Sequence, residues 1–295
     1  MKTAVCFLAG AGLVALAVGL KTDKITPVPS GMNGSLQTAY SIKRIPFSAV
    51  HHQQAGMPRI RLWESTSGNW SGYAVPLEGS GVSDTFSAVQ GTWVVPTVTG
   101  SGRQEAYSSA WVGLDGYESA TVEQIGTEQD WTGRAQANYV WFEMYPAGAY
   151  EIENFPANPG DSISAQVQYA GQVNVQIGRG RTEQESVFKL TIVNNTHNVS
   201  FTVPSSYTTV ATAARASAEW VVEAPTSRTI LPLADFGSVT FSRCEAVSTG
   251  SGGVAKAISF WPNDPLTMVD PSGGGSVPSG LSSGGTGFSV AWAAQ

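Results

Sequence analysis

The chain has 295 residues and a formal net charge of −6; 13% of residues are charged and 42% hydrophobic. The charged share is about half of the roughly 25% usual in soluble domains. The 33 Gly, nine Trp, nine Tyr and eleven Phe exclude disorder for the bulk of the chain. An acidic balance offers no basic stripe for phosphates, which excludes a nucleic-acid partner. The length suits one domain with a deep core.

In chain order, residues 1–20 combine Lys2, an apolar run and Ala17-Val18-Gly19. That is a positive start, a hydrophobic stretch and a small-x-small cleavage site, expected to form a signal peptide over residues 1–19. The run is short for spanning about 30 Å of hydrocarbon, so the mature protein is expected off the membrane, in the extracellular or periplasmic space. Cys6 leaves with the signal, so Cys244 stands alone and is expected to be a buried small apolar residue. Residues 21–63 hold six basic residues against one acidic, net +5; residues 64–295 hold nine against twenty-one, net −12. A basic leader before an acidic body predicts a pro-segment over residues 20–63, held partly by charge. The remaining residues, 64–295, are expected to form the single mature domain, acting as a monomer.

From Asn69 onward, short runs alternate at period 2 between clusters of Gly, Asn, Pro and Ser. Residues 85–95 (TFSAVQGTWVV), 139–145 (YVWFEMY), 162–168, 173–177 and 186–193 read as half-buried strands. Asn194-Asn195-Thr196-His197-Asn198 reads as a hairpin loop before a strand at 199–203. Residues 208–218 are rich enough in small side chains for a possible helix, which Thr and Val dilute. Residues 273–285 look like a linker, and 287–292 (GFSVAW) like a closing strand. About a dozen strands in one domain predict an all-β fold, a sandwich of two sheets.

Several catalytic designs fail on inventory. With His51 and His52 in the leader, His197 is the single histidine of the body. A zinc site or a Ser-His-Asp triad is therefore not expected. Asp115-Gly116 and Asp161-Ser162 do not supply the paired Asp-Thr/Ser-Gly units of an aspartic protease. What remains is carboxylates and amides among aromatics. Glu143 interrupts Trp141-Phe142-Glu143-Met144-Tyr145, and Glu223 ends a strand in which Glu219, Val221 and Glu223 share one face. A charge inside an apolar strand is costly without a partner or a task. Two readings stay open on this ground alone: a concave polar site, or a solvated face with ordinary surface glutamates. Gln124 is not distinguished by physics.

Six segments in order resemble the glutamic peptidases, or eqolisins. They are Asn69-Trp70-Ser71-Gly72, WVGLDG at 111–116, Glu123-Gln124-Ile125-Gly126 with Asp130-Trp131, WFEMYP at 141–146, EWVVEAP at 219–225 and LSSGGTGFSVAW at 281–292. The resemblance implies a β-sandwich of two large antiparallel sheets and a secreted, acid-active endopeptidase with a Gln/Glu pair. The Gln falls on Gln124 and the Glu on Glu223, not Glu219. Trp70, Trp111, Asp115, Trp141, Glu143 and Tyr145 fall on substrate-binding or supporting positions. In the implied chemistry Glu223 is general base and then acid on a water, and Gln124 stabilises the oxyanion. No cofactor or metal is called for, and cleavage is expected to survive chelators and pepstatin. The expected partners are polypeptide substrates and the chain's own pro-segment as intramolecular inhibitor. The rival reading is a carbohydrate-binding or glycoside-hydrolysing sandwich, which would use two carboxylates and has no use for Gln124.

Overall fold

Period-2 alternation becomes strands along most of the chain. The computed structural model describes residues 40–46, 61–63, 65–77, 84–178, 180–269 and 274–294. The expected signal peptide, and the leader apart from residues 40–46 and 61–63, lie outside these residues. Among the described residues there are nineteen strands. The first are β1 (Ser41–Arg44), β2 (Arg61–Trp63), β3 (Thr66–Ser67), β4 (Trp70–Pro76), β5 (Phe86–Val94) and β6 (Ala106–Asp115). Next come β7 (Val122–Trp131), β8 (Gln136–Tyr145), β9 (Tyr150–Glu153), β10 (Ser162–Gly178), β11 (Arg181–Asn194) and β12 (Val199–Thr202). The last are β13 (Thr209–Ala211), β14 (Ser217–Glu223), β15 (Ser238–Ser248), β16 (Lys256–Ala257), β17 (Asp264–Val269), β18 (Gly274–Pro278) and β19 (Phe288–Ala294).

The front sheet runs β1-β9-β8-β7-β6-β14-β4-β17, every neighbour antiparallel. The back sheet runs β11-β10-β5-β15-β19-β18-β17, with β12 and β13 along the far side of β11. β17 belongs to both: Asp264–Leu266 pairs with β4, and Met268–Val269 with β18. The ladder is thus continuous and folds over at β17 into two layers. The short β3 runs parallel to β17.

The inward faces of both layers make one apolar core, including Val112, Ile125, Phe142 and Trp220 from the front and Val89, Trp93, Val167 and Phe241 from the back. Two buried indoles also tie the layers by hydrogen bonds. Trp93 Nε1 donates to Thr127 Oγ1 at 2.9 Å, and Trp220 Nε1 to the Gln90 carbonyl at 2.7 Å. Such side chains bury 150–250 Å² each, so each contributes about 4–6 kcal/mol of hydrophobic transfer as an upper bound. Cys244 is a fully buried free thiol, so packing carries what a disulfide would otherwise reinforce.

Two local expectations are corrected. Residues 208–218 hold no α-helix: a 3-10 turn (Ser205–Tyr207) leads into β13, and β14 begins at Ser217. Small side chains made that stretch helix-compatible, yet Thr209 and Val210 complete the ladder beside β11 instead. Within the Gly-rich 273–285 stretch, Gly274–Pro278 form β18, paired with β19 in the back sheet. The Asn194–Asn198 loop and the closing strand fall where the pattern placed them.

Candidate active site

On β14, Ala218, Trp220 and Val222 join the core, which turns Glu219, Val221 and Glu223 to the outer face of the front sheet. Neighbouring strands follow the same parity, and register sorts the outer face into rows. One row holds Tyr139, Glu128, Ser109, Glu223 and Trp70. The next holds Trp141, Gly126, Trp111, Val221 and Gly72, and a third holds Glu143, Gln124, Gly113, Glu219 and Ala74. Asp264 of β17 extends the third row. This is no solvated face: Gln124, Glu128, Glu143, Glu219 and Glu223 are all at most 1% exposed. A second apolar cluster of Trp70, Trp111, Trp141, Val221 and Leu266 lies among them.

Gln124 donates from Nε2 to Glu143 Oε2 at 2.9 Å. Glu223 accepts from Trp111 Nε1 at 2.8 Å on one oxygen and from Asn69 Nδ2 at 3.1 Å on the other. Trp141 Nε1 donates to Ser109 Oγ at 3.1 Å, and Trp70 meets Trp111 edge-on with ring centroids 4.8 Å apart. Gln124 and Glu223 share the face but do not touch. They sit two strands and four residues apart, which in a flat sheet is about 9–10 Å across and about 13 Å along. Trp111 occupies the midpoint of that diagonal. Glu219, by contrast, shares Gln124's row.

Asp115 stands apart from this face. At φ 67° it turns its carboxylate to the backbone N–H groups of Arg215 at 2.7 Å and Ala216 at 2.9 Å. It therefore clips the end of β6 to the start of the strand that carries Glu223. Burial pushes its carboxyl up, opposed by those hydrogen bonds. Behind Gln124, Glu123 points to the core in register with Leu114 and Met144. Burial drives its carboxyl well up, and the nearby charges of Asp115 and Glu219 add to this. Tyr145 is buried at the end of β8, opposite Val122.

Sequence reasoning passed over Asn69, Ser67 and Glu128 as site residues. Glu128 was within reach, being four residues from Gln124 and so on the same face of one strand. Asn69 precedes β4, where no periodicity applies. It and Asn194 are also fully buried, which removes two of the four Asn-x-Ser/Thr sequences as glycan acceptors; Asn198 is exposed, and Asn33 lies outside the described residues.

The profile of the Peptidase A4 family matches residues 68–277, most of the chain. The chain belongs to the peptidase A4 family. It is 28% identical to aspergillopepsin-2 of Aspergillus niger over 249 residues, 78% of this chain and 79% of that protein. It is 28% identical to scytalidopepsin B of Scytalidium lignicola over 129 residues, 44% and 42% of the two. A crystal structure of scytalido-glutamic peptidase with a transition state analog inhibitor superposes with a TM-score of 0.57 at 21% identity, covering 77% of this chain and 98% of that one. That likeness shows a common fold, the expected sandwich. Membership in the A4 family supports peptide hydrolysis over the carbohydrate reading. No helix among the described residues is long and apolar enough to cross a membrane.

Proposed function

We propose that this A4-family chain is a secreted, acid-active, metal-independent glutamic endopeptidase in which Gln124 and Glu223 act on one scissile peptide. The carrying observation is the register: an amide and a carboxylate on one buried face of the front sheet, placed on either side of Trp111. Motif order puts the base on Glu223, whose carboxylate accepts from two neutral donors, Trp111 and Asn69. Glu223 takes a proton from the water while the water oxygen bonds to the carbonyl carbon. The second N–H of the Gln124 amide donates to the oxygen that becomes negative, its first being directed to Glu143. The C–N bond then breaks, and the proton on Glu223 passes to the leaving nitrogen. The reading implies activity insensitive to pepstatin and chelators.

The leader acts as an intramolecular inhibitor. β1 adds to the open edge of the front sheet at β9, with Lys43 3.7 Å from Glu151 and 3.8 Å from Glu153. Exposed pairs like these contribute little singly. Ile45 contributes more, because it is buried in the cluster with Trp111 and Trp141 and its N–H donates to the Ala149 carbonyl. Strand addition and an apolar side chain on the site face support retention beyond charge. Acid, which protonates the body's carboxylates while Lys and Arg stay charged, weakens the charge component.

The test is digestion of a denatured protein across pH by the wild type and by the Gln124→Ala, Glu223→Ala and Glu219→Ala variants. The first two substitutions should nearly abolish cleavage with the fold retained, and Glu219→Ala should keep clearly more activity than Glu223→Ala. The reverse ranking would reject the assignment of the base.

A further inference from the structure

Asn69 touches the catalytic candidate through both its side chain and its backbone. Its Nδ2 donates to Glu223 Oε1 at 3.1 Å, and its carbonyl accepts from the Ala224 N–H at 2.8 Å, directly after Glu223. The amide orientation follows from proton inventory. Ser67 Oγ accepts from the backbone N–H of Asn69 at 3.3 Å and of Trp70 at 3.1 Å. Backbone N–H groups only donate, and a serine hydroxyl has a single proton. That proton points at Asn69 Oδ1, 3.0 Å away, so the NH₂ end faces the carboxylate. Ser67 is itself fixed at the seam of the two layers, where β3 pairs with β17. Ser67, Asn69 and Glu223 are all at most 1% exposed, so little water competes for these bonds.

We infer that Asn69, its amide oriented by Ser67, is a positioning residue that holds the Glu223 carboxylate aimed at the water it activates. The inference rests on Glu223 being the base. A neutral donor on one oxygen favours the charged form of a carboxylate, and with Trp111 on the other oxygen the group is pinned from both sides. The face around it is acidic, which makes donors matter more. Glu219 lies on its own strand, Glu128 is in its row, Glu143 and Tyr139 come from β8, and Asp264 comes from β17. Asn69 and Trp111 bring donors to the Glu223 carboxylate without adding charge to that face.

The experiment uses the full chain after acid incubation, with an internally quenched peptide as substrate, and records kcat and KM from pH 2 to 7 for the wild type, Asn69→Ala, Asn69→Asp, Ser67→Ala and Glu223→Gln. Losing a hydrogen bond to a charged group should lower kcat by roughly 10- to 100-fold in Asn69→Ala, with KM within about threefold. The acid limb of the kcat profile should move to higher pH, and further in Asn69→Asp, where two carboxyl groups side by side compete for one proton. Ser67→Ala, which frees the amide to turn over, should show a smaller shift in the same direction and covers the case in which Asn69→Ala folds poorly. An unmoved acid limb in Asn69→Asp and Ser67→Ala, with any loss matched by a fall in folded protein, overturns the positioning role while leaving the dyad intact. Activity retained in Glu223→Gln overturns the dyad, and the role of Asn69 with it.

Discussion

Gly126→Ala tests whether the site face is packed as the register requires. Gly126 stands between Trp111 and Trp141 on adjacent strands. A Cβ there would lie 2.5 Å from the Ala110 carbonyl oxygen, 2.5 Å from Trp111 Cβ and 3.0 Å from Trp111 Cα. None of these is the tip of a flexible side chain, so β6 must shift by about 0.9 Å or more to restore ordinary contact. Overpacking of a well-filled interior costs about 1–3 kcal/mol, and immobile neighbours place this case at about 2–3 kcal/mol. At roughly 2–4 °C per kcal/mol for a domain of this size, the melting temperature should fall by about 4–12 °C. The shift moves the strand that carries Trp111, stretching its 2.8 Å bond to Glu223, so kcat should drop as well. The control is Gly280→Ala, exposed and with nothing within 4 Å of the added carbon, expected to be neutral or stabilising by less than about 1 kcal/mol. Thermal unfolding followed by circular dichroism, with kcat measured at acid pH, decides the matter. A Gly126→Ala protein that melts within 1 °C of the wild type with unchanged kcat refutes the packing of this row.

Other groups make separate predictions. Burial, then Asp115 and Glu219, raise the folded carboxyl of Glu123, so its contribution is present at acid pH and lost as pH rises through the raised value. Glu123→Gln should therefore narrow the difference in melting temperature between pH 4 and pH 7, and parallel curves for the two proteins would count against this. At Asp161, burial pushes up, but hydrogen bonds from Asn158 and Asn194 and the charge of His197 outweigh it, leaving the carboxyl lowered. Its contribution is present above the ordinary carboxylate range and lost as pH falls through the lowered value. His197→Ala removes a partner 3.2 Å away that helps lower the Asp161 carboxyl, so less stability should be lost as pH falls below about 5; an unchanged acid dependence contradicts the ion pair. Cys244 is fully buried, with its thiol pushed well up by burial and then by Glu245. A thiol reagent should label it only on unfolding, and fast labelling of native protein would show the back sheet opens there.

Local pattern alone determined much of this protein. Period-2 alternation located β5, β8, β11 and β19 and the loop at Asn194–Asn198, because a half-buried strand must alternate. The same parity put Glu219 and Glu223 on one face and Trp220 and Val222 on the other, as the structure has them. Motif order carried Gln124 and Glu223 where physical reasoning on one strand did not. Tertiary structure decided the rest. Whether that face was solvated depended on what covers it, and no strand's own sequence records its cover. The diagonal across Trp111 depends on register between β7, β6 and β14, set by hydrogen bonding over long chain separations. Asp115, assigned by motif to a supporting position, accepts from the backbone N–H groups of Arg215 and Ala216, a hundred residues along the chain. Asn69 reaches Glu223 across 154 positions from a turn without periodicity. A contact of that kind exists only once β4 and β14 have paired in register, which is why it could not be read beforehand.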